Sequence, residues 1–189
     1  MTSLLDDSLA LLGPELVART AGTAGVAPDA AHCALGAAVP LVLAAMATRA
    51  HDPALLARLT GMVANAEGGT ARAQVAVGAT SASPDDVEER SFAELGASLR
   101  EALFGARAPR VARSLGALVG QPAAGDACLA VGGGVVLAAI ARTLAAHGEG
   151  FAGLSARLAA TRDDALARTA PELVSWLGEA ALIDEREAR

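Results

Sequence analysis

The chain has 189 residues, 53% of them hydrophobic and 2% aromatic, with no tyrosine. A core of that composition must be built from Ala, Leu and Val, and because alanine favours helix while strand-favouring aromatics are scarce, the composition predicts an all-α fold. The net charge is −6 and all 15 basic residues are arginine, which argues against nucleic acid as the main partner, since duplex binding gains affinity by neutralising phosphates.

Ser3, with Asp6 three residues on in capping-box position, predicts a first short helix with a stripe at Leu4, Leu5, Ser8, Leu11 and Leu12, stopped by Gly13. Pro14 and Glu15 open a second helix to about Ala21, and Gly22-Thr23-Ala24-Gly25 reads as a turn. Pro28 opens a long helix whose Leu35, Val39, Val42, Leu43 and Met46 recur at spacings of three and four, with a kink expected at the interior Pro40. Asp52 caps a fourth helix that begins at Pro53 and buries Leu55, Leu56, Leu59, Met62 and Val63. From about Glu67 to Ser83, Gly, Ser, Thr and Ala dominate without a helical stripe, and this stretch reads as a linker.

Ser83-Pro84-Asp85-Asp86 starts a helix carried on by Val87, Phe92, Leu95, Leu99, Leu103 and Phe104 and ended by Gly105. A helix over Pro109 to Val119, a turn at Gly120-Gln121 and a long helix from Pro122 to about Ala146 follow. After a turn at His147-Gly148-Glu149-Gly150, the pattern predicts a helix from Phe151 to Ala160 and another from Thr161 to about Ile183, capped by Thr161 and broken near Ala170, where Thr169 and Glu172 form a second capping box.

A constant shift of 94 residues aligns two of these stretches. It places Val17-Ala18-Arg19 on Val111-Ala112-Arg113, Gly22 on Gly116, Pro28 on Pro122 and Val42-Leu43-Ala44-Ala45 on Val136-Leu137-Ala138-Ala139. Gly132-Gly133-Gly134 falls on Ala38-Val39-Pro40, so both long helices are weakened at the same point. Three glycines inside a helix cost roughly 1 kcal/mol each relative to alanine, and close approach of another backbone would compensate. The expected architecture is a pseudo-symmetric helical bundle from an internal duplication, each half holding one long kinked apolar helix. Residues 1–66 form the first repeat, 67–83 the linker, and 84–189 the second repeat with the C-terminal helices, together one compact domain.

The short helix, the glycine turn, the proline-opened apolar helix with Pro40 before Leu41-Val42-Leu43, and Leu103-Phe104-Gly105 leading into V-A-R-S-L-G-A resemble the YidB-like bacterial family, a domain of unknown function with duplicated helical halves. The resemblance runs from about Leu4 to Ala146. The chain departs from it in carrying Gly134 where such sequences commonly have proline, and in a longer acidic helix before Leu103. The resemblance implies an all-helical bundle, with a homeodomain-like element in at least one relative, and no catalytic residues to transfer.

The polar residues read mainly as structural. Cys33 and Cys128 lie in apolar helices without a Cys-x-x-Cys pair, which predicts buried thiols in a reducing compartment. His51 and His147 fall near helix C-termini, where a cation complements the dipole; a paired pH-sensing role is the sharper alternative. His32 and Cys33 are neighbours that point about 100° apart on a helix and do not converge on a metal. Of the acid pairs Asp6-Asp7, Asp85-Asp86, Glu88-Glu89 and Asp163-Asp164, most sit at helix starts, where acids belong. The glycine triplet lacks the strand, Lys and Ser/Thr of a phosphate loop. A helix-turn-helix reading of Ala21 to Val26 would present Ala27, Pro28, Asp29 and Ala30 to bases, a poor donor set, and the second copy has Val119 in place of Gly25.

The N-terminus, with two acids and no early basic residue, predicts no secretory signal. The apolar runs Cys33–Thr48 and Ala127–Ala141 are shorter than the roughly 20 residues that span a bilayer. The sequence therefore points to a non-enzymatic, cytoplasmic helical scaffold or protein-interaction module that associates with itself or another protein and needs no cofactor or metal. Pro40, Gly132, Gly133, Gly134 and Trp176 are its candidate packing or interface residues. The alternatives are a helix-turn-helix-like nucleic-acid-binding regulator and a carrier of a small apolar ligand or lipid; peripheral membrane contact is compatible with the hydropathy.

Overall fold

The computed structural model describes residues 3–76, 84–148 and 151–177. Among these the chain is all-α, without strands. The helices are α1 (Leu4–Ala10), α2 (Pro14–Ala24), α3 (Pro28–Thr48), α4 (Pro53–Ala76), α5 (Pro84–Phe104), α6 (Ala108–Leu118), α7 (Gly125–His147) and α8 (Phe151–Arg168). Residues 171–177 are again helical.

Two helices make the centre. α3 buries every residue from Ala38 to Ala47, and α7 buries every residue from Cys128 to Ala141. A helix apolar around its whole circumference must be enclosed, and here the two pack on each other, with α5 against α7, α8 against α3, and α1, α2, α4 and α6 closing the remaining sides. Both are long and apolar enough to cross a membrane, with mean hydropathy 1.9, yet 72% and 83% of those windows are buried inside the fold. Such burial is the ordinary state of a bundle's core helices.

Local signals account for most helix starts. The Ser3 hydroxyl accepts the Asp6 N–H (3.1 Å) at the head of α1. Prolines stand in the first turns of α2, α3 and α6, where a missing N–H costs nothing. Asp52 Oδ1 accepts the N–H groups of Ala54 (2.9 Å) and Leu55 (3.2 Å), capping α4. α3 runs through Pro40 as one element with that residue buried; the proline cannot donate to the Gly36 carbonyl.

Helix ends differ more from the sequence reading. α1 stops at Ala10, and α2 continues to Ala24, leaving Gly25 (φ +68°) as the turning residue with the Val26 N–H on the Ala21 carbonyl (3.0 Å). α6 ends in a similar closure, one residue past the 94-residue offset: Gly120 has φ +68° and the Gln121 N–H reaches the Gly116 carbonyl (2.9 Å). The left-handed glycine missing at position 119 is thus supplied at 120. α7 is preceded by a 3-10 turn over Pro122–Ala124. α4 continues through residues 67–76, the first part of the stretch read as a linker, and no proline interrupts the sequence from 54 to 83; residues 77–83 lie outside the described ones.

Thr161 does not cap a helix. It lies inside α8, buried on a stripe with Leu154, Leu158 and Ala165, and its hydroxyl donates to the Arg157 carbonyl (2.8 Å). The break expected near Ala170 is present at residues 169–170, with the Thr169 hydroxyl turned back to the Ala165 carbonyl (2.7 Å). The tail beyond residue 177, including Ile183, is outside the described residues.

Candidate functional site

The glycine triplet lies where α7 meets its neighbours. A Cβ on Gly132 would stand 2.9 Å from the Ala38 Cβ of α3. A Cβ on Gly133 would stand 3.2 Å from the Gly96 Cα of α5, and one on Gly134 would drive into the Phe92 backbone, 2.6 Å from its carbonyl carbon. Gly96 is equally constrained, since a Cβ there would overlap the Ala130 carbonyl and lie 2.7 Å from the Gly134 nitrogen. α5 and α7 therefore touch backbone to backbone, and Gly132 admits α3 from another side. The contacts that side-chain-free positions allow compensate the helix cost of glycine.

Gly96 was not singled out by the sequence, although an isolated glycine inside a periodic helix is itself a signal of close packing. A second such pair joins α6 to α7: a Cβ on Gly125 would collide with the Ala112 carbonyl. Pro40 is buried in α3, and Trp176 is partly buried against the core. Pro40 lies two residues from Ala38, the α3 residue that meets Gly132.

The groups able to carry chemistry are dispersed. His32, His51 and His147 are exposed on separate elements, and His147 Nδ1 lies 2.8 Å from the Thr143 carbonyl oxygen. Cys33 is exposed, contrary to the expectation of two buried thiols; its place on the outer side of the first turns of α3 faces away from the core. Cys128 is buried, and burial pushes its thiol up to about 11. Arg168 holds Asp6 and Asp164 (3.3 Å each), tying α8 to α1. Arg49, missed by the sequence reading, donates to the Ala102 carbonyl at the end of α5 (3.2 Å) and pairs with Asp52 (2.9 Å). Partial burial draws the Asp52 carboxyl upward, but the Leu55 N–H, Arg49 and the Ala54 N–H outweigh it and hold the group below its ordinary value. The side chains of Asp85, Asp86, Glu88 and Glu89 lie outside the described ones. Among the described residues no three His, Cys, Asp or Glu side chains gather as a metal site would require.

At the α2–α3 turn, Ala27, Pro28 and Asp29 are exposed. Their surface offers bases a carboxylate and no strong donor.

No curated protein and no solved structure shows significant similarity to the chain. The model of one family, described as a bacterial protein of unknown function (DUF937), matches residues 7–142. That span takes in α2, α3, α6, nearly all of α7 and the glycine seam between α5 and α7, so that the chain belongs to this bacterial family, and the YidB-like resemblance agrees with it.

Proposed function

We propose that the protein is a non-enzymatic helical scaffold or interaction module of the cytoplasm that self-associates. The observation that carries this reading is how the residues are spent. The small residues join helices at backbone distance, while among the described residues no three of the histidines, cysteines and carboxylates gather in one place as a metal site would require. Two free cysteines, one of them exposed, fit a reducing compartment. Leu118 and Val174 are the exposed large apolar side chains among the described residues, at 39% and 38%, and would seed contact between copies.

Light scattering on the purified chain across a wide concentration range tests the association. A mass rising with concentration, and reduced in Val174→Glu, is expected. A strict monomer at all concentrations removes self-association from the proposal.

A further inference from the structure

We propose that the outer face of α6 and the turn after it dock on an anionic phospholipid surface. Arg107, Arg110 and Arg113 follow one another at a spacing of three, and no Asp or Glu occurs between Glu101 and Asp126. In a chain of net charge −6 this is a local reversal of sign. Asp126, the acid that ends it, is already held by Arg100. Arg110 and Arg113 are exposed and pair with no carboxylate among the described residues, and Arg107 keeps a buried Nη1 without a hydrogen-bond partner.

The inner face of α6, with Val111, Ala112, Leu115 and Gly116, is buried. Its outer face therefore points away from the bundle. On a 100° helical wheel Arg110, Arg113 and Ala117 centre that face, flanked by Ser114 and Leu118. The exposure continues without a buried residue from Ala117 to Ala123, so the turn offers Leu118, Pro122 and Ala123 next in the chain to the arginines. At the 94-residue offset Arg107 and Arg110 fall on Gly13 and the buried Leu16, and Arg113 falls on Arg19, so α2 and its approach carry one arginine where α6 and its approach carry three.

An exposed basic face that ends in an exposed apolar turn matches a plane of headgroups. Guanidinium groups meet the phosphates while the turn enters the boundary of the acyl region. An acidic peptide is better held by a groove, and a duplex would use the arginines but has no apolar phase for the exposed Leu118, Pro122 and Ala123 that follow them in the chain, which an acyl boundary has. The acids elsewhere on the chain matter little at contact, because fields are screened within about 8 Å at physiological salt. The surface is complete in the monomer and does not depend on self-association; a contact between copies made through Leu118 would compete with it.

The test is flotation of the full chain with vesicles of phosphatidylcholine, with or without phosphatidylglycerol at about 30 mol%. Binding to the anionic vesicles alone, weakening as salt rises, is expected. Each arginine near the surface contributes about fivefold, so Arg110→Gln/Arg113→Gln should bind roughly 25-fold more weakly. Its circular dichroism should be that of the parent, because both side chains are exposed. Equal binding to neutral vesicles, insensitivity to salt, or parental affinity of a folded double variant overturns the proposal. Retention on polyglutamate or duplex DNA without vesicle binding overturns it in favour of another polyanion. If the double variant fails to fold, the lipid and salt dependence of the parent decides alone.

Discussion

A glycine in a helix normally gains from becoming alanine, by about 1 kcal/mol. The seam reverses that sign. Gly134→Ala would press a methyl into the backbone of Phe92, and neither helix can yield without moving the other. Overpacking of this kind costs about 1–3 kcal/mol, and obstruction by backbone belongs at the upper end. Gly36→Ala, on α3 with nothing within 4 Å of the added carbon, should instead stabilise by about 1 kcal/mol. Thermal melts of the two variants should move in opposite directions. The triplet was legible because three consecutive glycines in an apolar helix require a reason. Which neighbour supplied it was not, since no spacing in α7 points to Gly96. The cysteines were half legible: both lie on an apolar-rich helix, but only Cys128 lies on the enclosed side. Its thiol, raised from 9.0 to about 11, contributes no pH dependence below about pH 9. Between about 9 and 11 the unfolded chain loses this proton and the folded one keeps it. Stability should therefore fall there by on the order of 2 kcal/mol relative to Cys128→Ala at the same pH. A thiol reagent should label Cys33 in the native protein and reach Cys128 only on unfolding.

At the scale of elements, starts were easier to read than ends. A start is written in one or two side chains: Ser3, Pro14, Pro28, Asp52 with Pro53. An end depends on whether the next turn finds something to pack against. α2 and α4 run on because nothing in their sequences forbids helix, and α8 passes Thr161 because that residue lies on a buried stripe. Asp52 gives a direct measure of a start. Asp52→Ala removes the acceptor for Ala54 and Leu55 and the partner of Arg49, and should cost about 1 kcal/mol in denaturant unfolding. Asp52→Asn should retain most of the cap. The carboxyl is held low in the folded state, so its contribution is present above the ordinary carboxylate range and disappears as pH falls through the folded value. The parent should lose this increment on acidification and the Asn variant should not.

For the whole molecule the sequence suggested two similar halves; α2 (Pro14–Ala24) and α6 (Ala108–Leu118) keep the offset, but α3 spans Pro28–Thr48 while α7 spans Gly125–His147 after a 3-10 turn at Pro122–Ala124, so the long helices do not. The packing does not keep the halves apart. α7 of the second half is covered by α1, α2 and α4 of the first, and α3 of the first is covered by α8 from the far end of the chain. Neither long helix could be enclosed by its own half. A fragment ending before α5 would leave the α7- and α8-facing sides of α3 in water, in a helix whose residues from Ala38 to Ala47 are now all buried. At roughly 25 cal/mol per Å² of apolar surface, such exposure exceeds what a small fragment can offset. The full chain should therefore melt in a single transition with calorimetric and van't Hoff enthalpies in agreement, and residues 1–83 alone should show little helix or aggregate. Two resolved transitions, or a fragment that is helical and melts cooperatively, would mean that the halves fold independently and that their mutual burial follows folding instead of driving it.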